Sequence, residues 1–201
     1  MKTAWIRYFV PVDTKSTLQF IKIIADIQKG GYEKTNLFLS SRGGDITSGI
    51  CAYMYVKGLG MDIDTYSMGN VDSIATILYC LGKNRYCFKY SSFIIHDVSW
   101  DFVGSFNKNP EKTMETALSM FTNREIIAEI LDTVLKIGKE NVKQTMRDGL
   151  VLTCDTAKEK GLVTNYTEMI IPKDAEWFVV DQYEAPIQTV KNAQYEYDKF
   201  C

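Results

Sequence analysis

The sequence predicts an α/β fold, and three observations carry that expectation. Short apolar runs of strand length recur along the chain. Apolar positions at helical spacing follow most of them, and glycines punctuate the junctions.

The elements follow in order. "AWIRYFVPV" is strand-like, and "DTKSTLQFIKIIADIQKGG" places Leu18, Ile21, Ile24 and Ile27 on one helical stripe, widened by Phe20 and Ile23. Ser16 with Gln19 three residues on reads as a capping box, and Gly30-Gly31 as the stop. "TNLFLSS" is a strand that runs into "RGGDITSGICAYMYVKGLG", a glycine turn and a helix. "MDIDTYSMG" and "NVDSIATILYCLGK" repeat the strand–helix order, and "NRYCFKY" and "SSFIIHDVS" add two strands. Pro110–Lys139 is the longest helical pattern, with Met114, Ala117, Leu118, Phe121, Ile127, Ile130, Leu131, Val134 and Leu135 on a broad face. "GKENVKQTMRDG" predicts a helix and turn, and "TCDTAKEKGLV" a short helix closed by Gly161. The tail from Lys173, aromatic and charged, is suited to a strand or an interface.

Composition narrows the function classes. With 201 residues, one domain over 1–201 is the expectation. A net charge of -2 and the lack of a basic block give no electrostatic reason to expect nucleic acid or an anionic membrane. The N-terminal apolar patch is broken by Arg7 and Pro11, too short for a signal peptide or a span, so a soluble cytoplasmic protein is expected. Five cysteines without a C-x-x-C pair, beside one histidine, make a poor zinc site. They fit reduced thiols better, and no metal or cofactor is expected.

Three stretches carry candidate chemistry. In "SSRGGDITSG", adjacent amides at a helix start are suited to a developing oxyanion; an ordinary turn is the bland alternative. In "GNVDSIATIL", Ser73 sits after a strand and at the first turn of an apolar helix, where helix amides favour negative charge. Simple capping by Asp72 or Ser73 is the alternative there. "YSSFIIHDVSW" holds His96, the only histidine, which is either a core residue or a general base. A serine nucleophile needs a base, and the base an orienting carboxylate. Asp97 is adjacent, but neighbouring strand side chains point to opposite faces, so a more distant aspartate is required.

Taken together, "SSRGG", "GNVDSI", "FIIH", the Pro110–Lys139 helix and "MRDGLVLTCDTAKEKGLVT" resemble, in order and spacing, the proteolytic subunit family of the Clp protease, over Ile6 to Asn165. The resemblance implies a ClpP/crotonase-like spiral of ββα units with a long protruding handle helix, and a serine endopeptidase acting on peptides or unfolded polypeptides inside an oligomeric ring. It implies Ser73 as nucleophile, His96 as base, Asp148 as the orienting carboxylate, and an oxyanion hole of backbone N–H groups from Gly43, Gly44 and Ile74. It also implies a homo-oligomer of stacked heptameric rings, with an extended peptide held between the Gly43–Thr47 segment and the strand after Lys89.

The chain departs from the family pattern at several points. Arg42 stands for a proline, Val71 and Ile74 for alanine and methionine, and Asp97-Val98 for Gln-Pro; one extra residue follows the Arg-Asp of the acid element. The chain begins near the family's first strand, which leaves partnership with an AAA+ ATPase open. Three other readings stand beside the peptidase: a catalytically inactive ring scaffold, a crotonase-type acyl-CoA enzyme, and a serine–lysine peptidase using Lys83 or Lys89.

Overall fold

The structure is a computed structural model that describes residues 2–99 and 109–181. Its frame is an eight-stranded sheet. In chain order the elements are β1 (Thr3–Tyr8), α1 (Thr14–Lys29), β2 (Lys34–Ser41), α2 (Ile46–Gly58), β3 (Ile63–Asp72), α3 (Ala75–Tyr79), β4 (Asn84–Cys87) and β5 (Ser92–Ile95). There follow α4 (Pro110–Leu135), α5 (Lys139–Asp148), β6 (Leu150–Thr153), α6 (Cys154–Glu159), β7 (Asn165–Tyr166) and β8 (Trp177–Val180). The strand order is β6-β5-β3-β2-β1-β8, with β4 beside β3 and β7 beside β4. Every pairing is parallel except β5 with β6.

The α/β class is therefore as expected, and the parallel order follows from helices crossing between strands. Apolar residues on both faces of β1–β3 bury the sheet on both sides. On one face Ala4, Ile6, Tyr8, Leu37 and Leu39 meet Phe20, Ile23, Ile24 and Ile27 of α1 and the apolar side of α4. On the other, Trp5, Phe38, Tyr66 and Tyr86 form an aromatic column, with Phe38 and Tyr66 ring centroids 4.6 Å apart and Tyr66 and Tyr86 4.8 Å.

Several boundaries differ from the expectation. Asp13, not Ser16, caps α1: its carboxylate accepts from Ser16 N at 2.7 Å while Ser16 Oγ accepts from Asp13 N at 3.0 Å. Ser16 is the third helical residue of the same reciprocal box, a register shift that residue types alone do not decide. The long helix ends at Leu135, not Lys139, because Lys136 turns left-handed and α5 starts afresh after Gly138. β6 and β7 were not anticipated, being four and two residues long. β8 lies in the tail that was expected to include a strand, and residues 182–201 of that tail lie outside the described residues.

The cysteines correct a second expectation. Cys87 at the end of β4 and Cys154 at the start of α6 form a disulfide, so they are not reduced thiols. The thiol argument for a reducing compartment goes with them. No described helix is long and apolar enough to cross a membrane.

Candidate active site

The carboxyl ends of parallel strands are where α/β sheets place ligands, because the loops that follow open a crevice there. β2, β3 and β5 end together, and each delivers one of the three stretches singled out above.

β3 delivers Ser73. The chain leaves the ladder there with a φ of 55°, a left-handed conformation that non-glycine residues adopt at a cost of about 1–3 kcal/mol. Ser73 N donates to Ile94 O at 2.7 Å, which pins the turn to β5. A strained strand-to-helix turn that presents a serine is the device of a nucleophile elbow, here without that motif's glycine spacing. α3 is only five residues long and has no side-chain cap, so neither Asp72 nor Ser73 serves as one. With so short a helix, the macrodipole contributes little; local amides matter more.

β2 delivers the glycine turn. Gly43 has a φ of 85°, and a Cβ on it would lie 2.7 Å from Ser73 Cβ and 2.8 Å from Asp72 O. Only glycine admits that approach. Gly44 is similarly confined: its Cβ would lie 2.2 Å from Val12 O, where Val12 bridges the turn. The three expected oxyanion donors are not equivalent. Gly43 N donates to Ser41 Oγ at 3.2 Å, whereas Gly44 N and Ile74 N have no acceptor among the described residues.

β5 delivers His96, one residue past its end. The ring is exposed, which removes the reading of a core histidine. Ser73 and His96 line one cleft with Gly44, Ile46, Ile74, Ile95 and Val98. No hydrogen bond joins Ser73 to His96 among the described residues; such contacts are often loose until substrate tightens them. A second depression adjoins this cleft and shares Gly44, Ile46, Val98 and Ser99 with it, adding Met120 from α4.

Asp148 makes no hydrogen bond to His96 among the described residues and does not line the cleft. It is the exposed last residue of α5, and its Oδ1 accepts from Gln144 Nε2 at 2.7 Å. The antiparallel register pairs Ile95 with Leu150, so one further step sets Gly149 across from His96. The imidazole Nδ1 instead lies 2.7 Å from the backbone oxygen of Asp97. The Asp97 side chain forms a bidentate pair with Arg124 of α4 instead of reaching the ring. Considering side chains only, the sequence reading passed over this carbonyl and over Arg124, for which no sequence signal existed.

A buried carboxylate also flanks the nucleophile. Asp72 is almost wholly buried; Asn70 donates to its Oδ2 at 3.4 Å, while its Oδ1 has no partner. Burial pushes its carboxyl above the ordinary aspartate range, against smaller opposing contributions that include Arg42 and His96. Neither Lys83 nor Lys89 lines the cleft. Among the described residues no group of three His, Cys, Asp or Glu side chains is placed to hold a metal ion.

The family model described as Clp protease matches residues 1–169. The chain is 28% identical over 129 residues to the ATP-dependent Clp protease proteolytic subunit of Carsonella ruddii, covering 57% of this chain and 64% of that one. It is 34% identical over 71 residues to the ATP-dependent Clp protease proteolytic subunit 2 of Chlamydia trachomatis, covering 34% and 35%. The chain thus spans less than two thirds of the length of these relatives. A solved structure of a ClpP1 mutant from Listeria monocytogenes superposes with a TM-score of 0.72 over 84% of this chain and 92% of the other, at 18% identity, which establishes the likeness of fold.

Proposed function

The chain belongs to the Clp protease family, and on that premise we propose that it is a serine endopeptidase in which Ser73 is the nucleophile and His96 the general base. The observation that carries the reading is the meeting of three strand ends: a strained Ser73, a glycine turn in van der Waals contact with it, and His96 across one cleft.

A carbonyl oxygen can only accept, so the contact to Asp97 O requires a proton on Nδ1 and leaves the Nε2 lone pair free. Nε2 takes the Ser73 hydroxyl proton as Oγ attacks the scissile carbonyl. It then returns the proton to the departing amine, leaving an acyl-enzyme that water hydrolyses by the same exchange. Gly44 N and Ile74 N supply the oxyanion donors, each worth roughly 3 kcal/mol in hydrolases of this kind. Gly43 acts by its size, letting the turn approach Ser73. Substrate lies extended between the turn at Gly44–Ile46 and the Ile95–Ser99 segment, and the adjoining depression at Ile46, Val98 and Met120 takes a side chain. Asp148 is the carboxylate the family resemblance assigns, and in the resting chain its partner is Gln144. Stacked rings complete the reading, with α4 as the element that joins copies.

A fluorophosphonate probe tests the function. Labelling of the assembled protein that is lost in Ser73→Ala and in His96→Ala supports a peptidase. An assembled protein that never labels is an inactive scaffold, the reading favoured by the missing Ser73–His96 hydrogen bond.

A further inference from the structure

We propose that Asp97 and Arg124 form a positioning pair for His96, in which Arg124 grips the Asp97 side chain so that the Asp97 backbone carbonyl holds the imidazole by Nδ1. This inference rests on the proposed Ser73–His96 pair and concerns how its base is aligned.

The carbonyl does the steric part of a triad carboxylate's work. It accepts from Nδ1 at 2.7 Å, fixing the tautomer with a free Nε2, and His96 lines the cleft. A carbonyl in an irregular segment has no ladder to hold it, because β5 ends at Ile95. The side chain of the same residue supplies the anchor. Arg124 Nε donates to Asp97 Oδ1 at 2.6 Å and Nη2 to Oδ2 at 2.5 Å, the two-pronged match of a planar guanidinium to a carboxylate. Asp97 Oδ1 also accepts from Val98 N at 2.8 Å, closing the turn on the buried Val98. The Phe121 ring lies 5.3 Å from the guanidinium carbon and limits its swing. The pair is sheltered, with side chains 19% and 25% exposed, which separates it from the freely solvated bridges that hold nothing in place.

Two further observations point the same way. Asp148 is occupied on the surface, where Arg147 Nη2 holds Gln144 Oε1 at 2.7 Å on the far side of the same amide. The sheet register sets Gly149, not Asp148, across from His96. Because Arg124 neutralises Asp97, the pair sets geometry without adding net charge beside the ring.

A chain with a single histidine permits a direct test, since every imidazole signal comes from His96. In protein labelled with 15N-histidine, held about two pH units above the ordinary imidazole value of about 6.5, the wild type shows a protonated Nδ1 and a bare Nε2. Arg124→Ala and Asp97→Ala replace that pattern by a mixture of tautomers. Fluorophosphonate labelling of Ser73 slows at least tenfold in Arg124→Ala and in Asp97→Ala. The double variant is no slower than either, and Arg124→Lys recovers part of the rate. Thermal unfolding identifies any variant that fails to fold; if Arg124→Ala does, Arg124→Lys carries the test by its tautomer. Labelling and the Nδ1 proton both kept in Arg124→Ala overturn the pair while the peptidase stands. If wild-type Ser73 never labels, the peptidase reading fails, and an Nδ1 signal that survives Arg124→Ala overturns the pair by itself.

Discussion

Asp72 lies one residue before Ser73 and is 7% exposed, with one carboxylate oxygen unpartnered. Its carboxyl is held above the ordinary value of 3.8 chiefly by burial. The fold therefore favours the protonated acid: the contribution of Asp72 to stability is full below the unfolded value and is lost as pH rises through the folded one. Once ionised, the carboxylate is a buried charge that the fold disfavours. Asp72→Asn removes the charge at nearly constant volume and should raise stability at pH 7 by about 1 kcal/mol, or about 2–4 °C in melting temperature for a chain of this size. The gain should shrink as acid protonates the wild type. Melting curves from pH 7 down to about 4 check the sign, and a gain that grows on acidification refutes it. Ser73, His96 and Gly43 were legible in the sequence because side-chain types in a fixed order mark them. Asp72's burial and the Asp97 carbonyl were not: burial belongs to the assembled sheet, and a main-chain acceptor has no residue type to read.

At the scale of elements, the disulfide shows what spacing alone conceals. Cys87 and Cys154 are 67 residues apart, a separation that carries no recognisable pattern, and they meet because β6 folds back antiparallel on β5 and starts α6 beside β4. The bond encloses β5, α4, α5 and β6, the segment that carries His96, Asp97 and Arg124. A loop of that length loses enough chain entropy on cross-linking to stabilise the fold by up to about 4 kcal/mol in the chain-entropy model. Cys154→Ser should lower stability by about 2–4 kcal/mol, read by urea unfolding. Of the five cysteines, two should be unreactive towards a thiol reagent in denatured, unreduced protein. Finding all five thiols reactive there refutes the bond. Cys51 is exposed and should react at once in native protein, whereas burial pushes the Cys80 thiol up to about 12 and slows it. The long elements were legible, α1 from helical spacing and β2, α2 and β3 from apolar runs punctuated by glycines. The ends of α4 and the strands β6 and β7 were not, because a left-handed residue at Lys136 and ladders of two to four residues leave too few positions for any period to show.

At the scale of the whole molecule, α4 divides into two halves. Ile127, Ala128, Ile130, Leu131, Val134 and Leu135 are buried in the core, where α4 packs on α5 and α3, whereas Met114, Leu118 and Phe121 are each more than half exposed. These three residues recur at helical spacing, so they form one apolar stripe on the N-terminal half of the helix rather than scattered surface residues. Intradomain packing, the bland reading of this face, accounts for the buried half only. On the proposed ring assembly a second copy of the chain would cover the other, since an isologous contact along α4 covers the stripe on both copies. The expected outcome is a solution mass many times the 22.9 kDa of one chain, measured by light scattering at micromolar concentration. Leu118→Glu, a charge at the centre of the stripe, should break the stacked assembly into smaller species while leaving the melting of the chain's own core largely unchanged. A wild-type protein that stays at 22.9 kDa sinks the ring. Because Phe121 packs on the guanidinium of Arg124, the same variants can be compared by the His96 tautomer, which separates loss of assembly from loss of the aligned base.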